Sequence, residues 1–146
     1  MANVFDVAKY IVDKVGEIDV WKLQKLIYYC QAWSLAWDGS PLFDDIIEAW
    51  ANGPVCPTLR SRHEDMYVVD KTTPIWHDAN PDALTSGERE TIDVVLRDYN
   101  EMPNYELREL THLEEPWNKA REGVPLMEPC TNEITPVMMR LYYGSL

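Results

Sequence analysis

The side chains best equipped for covalent or metal chemistry are Cys30, Cys56 and Cys130, together with His63 and His112. Structural zinc sites draw pairs of ligands from positions a few residues apart, and no two of these five stand that close. Cys56 and His63 come nearest; on a helix they would share one face two turns apart, beyond the reach of a direct hydrogen bond. A nucleophile also needs a base beside it and a third group to orient that base, and no nucleophile elbow is present. The six glycines are scattered and form neither the Walker nor the dinucleotide pattern that cradles phosphate. Asp44-Asp45 and Glu114-Glu115 read as solvated loop charge rather than as a catalytic pair. Nothing in these residues requires an enzyme, a metal or a cofactor. A hydrolase built on Cys56, Cys30 or His112 stands as the least favoured alternative.

The unusual feature is aromatic: six tryptophans, eight tyrosines and two phenylalanines. A buried aromatic side chain supplies at most about 4 to 6 kcal/mol of apolar burial, so most of these residues are expected in the core. A subset, with Trp and Tyr favoured as interface anchors, suits a partner-binding surface rimmed by acidic residues.

The elements that must hold these residues are mainly helical. Asn3 caps a first helix to Val15, with Asp6 in its first turn and Gly16 at its end. Asp19 caps a second, from Val20 to about Trp37, whose stripe runs through Leu23, Leu26, Ile27, Cys30, Trp33, Ser34 and Trp37. Trp21, Tyr28 and Tyr29 widen that stripe well past half the circumference, so this helix is expected at the centre. Asp38-Gly39-Ser40-Pro41 is a turn, the stretch 42–51 reads as a short strand in preference to a tight loop, and Asn52-Gly53-Pro54 breaks the chain again. Pro57 opens a helix to about Asp65. Tyr67 to Val69 and Ile75-Trp76 are β-prone and are expected to pair with the 46–50 region, giving a small element of two or three strands. Thr85 and Glu88 form a capping box for a helix to Tyr99. An Asn-capped helix from Tyr105 to Leu113 follows, then one opened by Pro116 through Trp117 to Arg121, and a last helix from about Glu133 through Tyr142. The expectation is a compact, mainly α domain around the helix at about 20–37.

Composition narrows the partners. The 146 residues suit one domain spanning 1–146, and 13 Lys and Arg against 25 Asp and Glu give 13 − 25 = −12. That charge repels phosphate backbones and anionic membrane surfaces, so direct nucleic-acid or membrane binding is not expected. An odd number of cysteines without close pairs fits reduced thiols, with Cys30 a core residue. The opening MANVFDVAKY lacks the basic, apolar and small-residue series of a signal peptide, which predicts a cytoplasmic protein.

The run Lys22-Leu-Gln24-Lys25-Leu-Ile-Tyr28-Tyr29, followed by Trp33, Pro41-Leu-Phe43, Glu48-Ala-Trp50 and Gly53-Pro54-Val55, resembles the Panacea domain of SocA-like antitoxins. Leu110-Thr111-His112-Leu-Glu-Glu115-Pro-Trp117 is similar to that family's second signature. The similarities follow the family's order and spacing; Asn52 departs from them at a position where the family often has an aromatic. The family is often found in phage and prophage genomes. The resemblance implies a non-enzymatic antitoxin that binds and neutralises a toxin encoded beside it, in some members as an adaptor that hands the toxin to a host protease. An acidic chain suits a basic toxin. A phage-encoded protein that binds a host factor is the alternative. Lys22, Gln24 and Lys25 are open to two roles, an exposed helix edge in reach of a partner or internal hydrogen bonding. Gly53 and Pro54 are expected to shape a turn. Thr111, His112 and Glu115 are expected to cap the helix at Pro116, with Trp117 packed beneath.

Overall fold

The computed structural model describes residues 2–146. Among them are seven α-helices: α1 (Val4–Val15), α2 (Val20–Asp38), α3 (Pro57–His63), α4 (Ser86–Tyr99), α5 (Asn104–Leu113), α6 (Glu115–Ala120) and α7 (Pro136–Tyr143). Five short strands accompany them: β1 (Ile18–Asp19), β2 (Ile47–Trp50), β3 (Gly53–Val55), β4 (Val68–Val69) and β5 (Glu133–Ile134). The class is mainly α with small antiparallel pieces, as the sequence predicts. No helix among the described residues is long and apolar enough to cross a membrane.

Local signals set most helix ends. Asn3 accepts from the backbone of Phe5 and Asp6 while the Asp6 carboxylate takes the Asn3 N–H, a reciprocal cap, and Gly16 closes the helix at φ +80°. Asp19 accepts from the N–H groups of Trp21 and Lys22 to start α2, and Thr85 with Glu88 does the same for α4. The second helix is the axis of the fold. It has α1, α4, α5 and α7 packed around it, and its residues from Leu23 to Ala32 are all buried. That leaves no solvent face on this stretch, so its polar residues must find partners inside.

Several expectations are corrected. The strand predicted over 42–51 is confined to β2, because Leu42 and Phe43 are tied to α2 instead: Gln31 accepts from the Leu42 N–H and donates to the Phe43 carbonyl, both at 2.8 Å. Val68-Val69 pair with Ile18-Asp19 rather than with the 46–50 region, and Ile75-Trp76 lie in a 3-10 turn opened by Pro74. The third strand of the main sheet, in the order β3-β2-β5, comes from Glu133-Ile134, which the helical spacing had assigned to the last helix. That helix starts at Pro136, capped by Thr135; proline at the first turn and a threonine before it are the local signals that override the apolar period. The 51–52 pair makes the hairpin turn, so Gly53 and Pro54 belong to a strand and do not form the turn themselves.

Candidate functional site

The residues singled out from the sequence converge on the inner face of α2 and the elements laid across it. Gln24 is fully buried. Its side-chain oxygen accepts from the Cys56 N–H at 2.8 Å, and its amide donates to the Cys56 carbonyl at 3.3 Å and faces His63 Nε2 at 2.9 Å. Only a neutral imidazole can accept there, and burial holds the His63 pKa below its usual value. Gln24 thus fixes the junction of β3 and α3. Cys56 and His63 meet through it rather than directly, and burial pushes the Cys56 thiol up to about 11, the wrong direction for a nucleophile. Cys30, fully buried on α2, has its thiol raised as well.

The next residue of α2, Lys25, is only 3% exposed. Its ammonium donates to Asn104 Oδ1 at 2.8 Å, and among the described residues no carboxylate lies within 4 Å of it. Burial, with the nearby Arg108 charge, lowers its pKa to about 8 against the opposing field of Asp19. Asn104 is the first residue of α5 and is spent on Lys25, not on the predicted cap. Lys22 is half-buried, and its ammonium donates to the Asn100 carbonyl.

Further along α2, Tyr28 and Tyr29 stand at a carboxylate whose burial no local pattern signals. Glu114 is 8% exposed and takes hydrogen bonds from Tyr29 at 2.6 Å and Tyr143 at 2.9 Å; Tyr28 and Tyr143 hydroxyls meet at 3.0 Å. Burial raises the Glu114 pKa while the two hydroxyls hold it down, and burial prevails. The reading of Glu114-Glu115 as solvated charge is therefore right only for Glu115, which is exposed and stands 4.0 Å from Lys119. Replacing Glu114 by alanine strands two buried hydroxyls and is expected to cost about 2 kcal/mol in urea unfolding. Glu114→Gln keeps an acceptor and sheds the desolvated charge, so it should stay within about 1 kcal/mol of the parent.

The second signature folds onto the first. Trp117, on α6, is buried as predicted and donates its indole N–H to the Trp50 carbonyl at 2.9 Å. His112 stacks on it, centroids 3.8 Å apart and planes 11° off parallel; burial and three nearby cations lower its pKa to about 4. The predicted capping by Thr111, His112 and Glu115 does not occur. Thr111 donates back to the Arg108 carbonyl, and Glu114 occupies the cap position of α6 without a side-chain cap bond. Glu48 accepts from the Trp50 indole at 2.8 Å, and Trp33 donates to the Tyr99 hydroxyl at 2.9 Å while stacking on Trp37. Tyr29 in turn stacks on Tyr99 at 4.1 Å.

Arg121 was missed altogether. It is buried, donates to the carbonyls of Ala49, Pro125, Leu126 and Glu128, and lies 4.9 Å from the Trp117 ring. A lone arginine after a short helix carries no local signal of such a role; only the unpaired carbonyls of a loop folded back on β2 create it.

Of the depressions among the described residues, two stand out by their apolar lining. A cleft of about 280 Å³ lies between the start of α2, the β2-β3 hairpin and the 129–131 segment, walled by Trp21, Trp50 and Val55 with Lys25 among its lining residues. A second depression, about 250 Å³, runs between α6 and α7 along Pro116, Lys119, Val137, Met138, Leu141 and Tyr142. Along it Val137 is 55% exposed and Leu141 65% exposed. Of the predicted partner-binding residues, Gln24, Lys25, Tyr28, Tyr29, Gly53, Pro54, Thr111 and Trp117 are interior; Lys22, Trp33, Glu48, Trp50, His112 and Glu115 reach solvent.

A family model described as Antitoxin SocA-like, Panacea domain, matches residues 23–118, from the fourth residue of α2 into α6. Searches among curated proteins and among solved structures gave no significant match.

Proposed function

This chain belongs to the family of SocA-like antitoxins with a Panacea domain, and on that footing we propose that it neutralises a toxin encoded by a neighbouring gene through direct protein–protein binding. The match over well over half of the chain is the observation that carries the reading. The α6–α7 depression supports it, since apolar side chains held in water beside a groove are the usual mark of a protein-binding surface. The net charge of −12 favours a basic toxin, whose approach such a field would speed at low ionic strength. The buried signature residues then act as the frame: Gln24, Lys25, Glu114 and Trp117 lock α2 to the sheet and to α5 and α6, and the outer faces are presented to the partner. Delivery of the bound toxin to a host protease is a second mode of the same binding, and would shorten the toxin's half-life, where occlusion alone would not. The chain is proposed to work in the cytoplasm without a cofactor.

Leu141→Asp places a charge in the groove without touching the core, because the side chain is mostly in water already. It is expected to weaken toxin binding by about a hundredfold, roughly 3 kcal/mol, while circular dichroism and melting stay as in the parent. Unchanged affinity would move the interface elsewhere. Association of the parent chain should also slow several-fold between low and physiological salt; a rate indifferent to salt would remove the basic partner.

A further inference from the structure

The cleft between Trp21 and Trp50 holds a charge that the fold leaves only partly answered. Lys25 is more than nine-tenths buried, has among the described residues one hydrogen-bond partner, Asn104, for its three donors, and lines the cavity. The nearest negative field is that of Asp19, whose carboxylate is already engaged by the N–H groups of Trp21 and Lys22. Two further cations stand close by: Arg108 adds to the positive field at Lys25, and Arg60, paired with Glu64 at 3.6 Å, lies over the Trp50 ring at 5.0 Å; among the described residues their buried Nε atoms have no hydrogen-bond partner. A buried cation without a counter-ion is costly to keep, and an anion entering beside it would recover that cost. The walls, two indoles, Val55 and Ala51, suit an apolar group.

We propose that this cleft binds an apolar ligand bearing a single carboxylate, with Lys25 meeting the carboxylate and Trp21 and Trp50 flanking the apolar part. One ammonium balances one negative charge, and the chain's net charge of −12 disfavours a phosphate dianion. A free small acid and the terminal carboxylate of a peptide ending in an apolar residue share this chemistry. The site belongs to the chain alone and does not depend on the toxin reading.

Tryptophan fluorescence of the purified chain, titrated with 3-phenylpropionate and its amide and with Gly-Gly-Gly-Phe as free acid and as C-terminal amide, tests it. At least one acid should give a saturable change, and its amide should bind at least about tenfold more weakly, the loss expected for a charge-assisted contact. Tighter binding of the peptide acid assigns the site to chain termini, and tighter binding of phenylpropionate assigns it to free acids. Lys25→Met should weaken the acid about tenfold or more. Ala51→Phe, which fills the cleft without altering Lys25, should abolish binding and keeps the test decisive if K25M does not fold. Acid and amide binding alike, no saturable response to either acid, or undiminished binding by A51F would overturn the proposal.

Discussion

Arg121→Met should destabilise the chain by about 4 kcal/mol, because it removes a buried cation on which four backbone carbonyls depend. Methionine keeps much of the apolar stem against Trp117 but donates nothing. The Ala49 carbonyl is the most costly of the four to strand, since Ala49 is fully buried. The carbonyls of Pro125, Leu126 and Glu128 lie in an exposed segment and would turn to solvent, freeing the loop that leads to the cleft wall at 129–131. Arg121→Lys should recover less than half of the loss, since one ammonium cannot serve both β2 and the 125–128 segment as the planar guanidinium does. Urea denaturation of the three proteins measures this. A methionine variant within about 1 kcal/mol of the parent would show that the four hydrogen bonds exchange freely with water.

Gly53→Ala is expected to cost about 3 kcal/mol. At φ +130° the backbone occupies a region that side chains with a Cβ rarely enter, and an added Cβ would sit 2.9 Å from Lys25 Cε. Lys25 cannot swing aside cheaply, being buried and bonded to Asn104. Two separate penalties therefore act at this position, and a double-mutant cycle separates them: in a Lys25→Ala background the collision is gone and the dihedral strain remains, so G53A should cost less there. Equal costs in both backgrounds would assign the whole effect to the backbone.

The helices were legible because their signals are local. Asn3 with Asp6, Asp19, and Thr85 with Glu88 each lie within one turn of the backbone groups they satisfy. The short strands were not, since a two-residue strand has no period to read and its identity depends on a distant partner. Ile134 shows this well: it continues the apolar spacing of α7 but is buried by pairing with Ile47. The same limit hid the polar interior. Glu114 beside Glu115 looks like surface charge until Tyr29 and Tyr143 are brought to it from the second and last helices. Arg121 gains its role from carbonyls on either side of it in the fold, and Lys25 its isolation from the absence of a nearby carboxylate among the described residues. The division of the motif residues into buried frame and solvent-reaching surface therefore required the structure.

The central claim, that this chain restrains a toxin by binding it, is tested most directly by growth of cells expressing the neighbouring reading frame alone and then together with this chain. Growth arrest by the neighbour, relieved on co-expression and accompanied by a complex that co-purifies, is the predicted result. A neighbour that is harmless alone and does not bind, or an arrest that co-expression leaves unchanged, would contradict the account and bring forward a host factor as the partner.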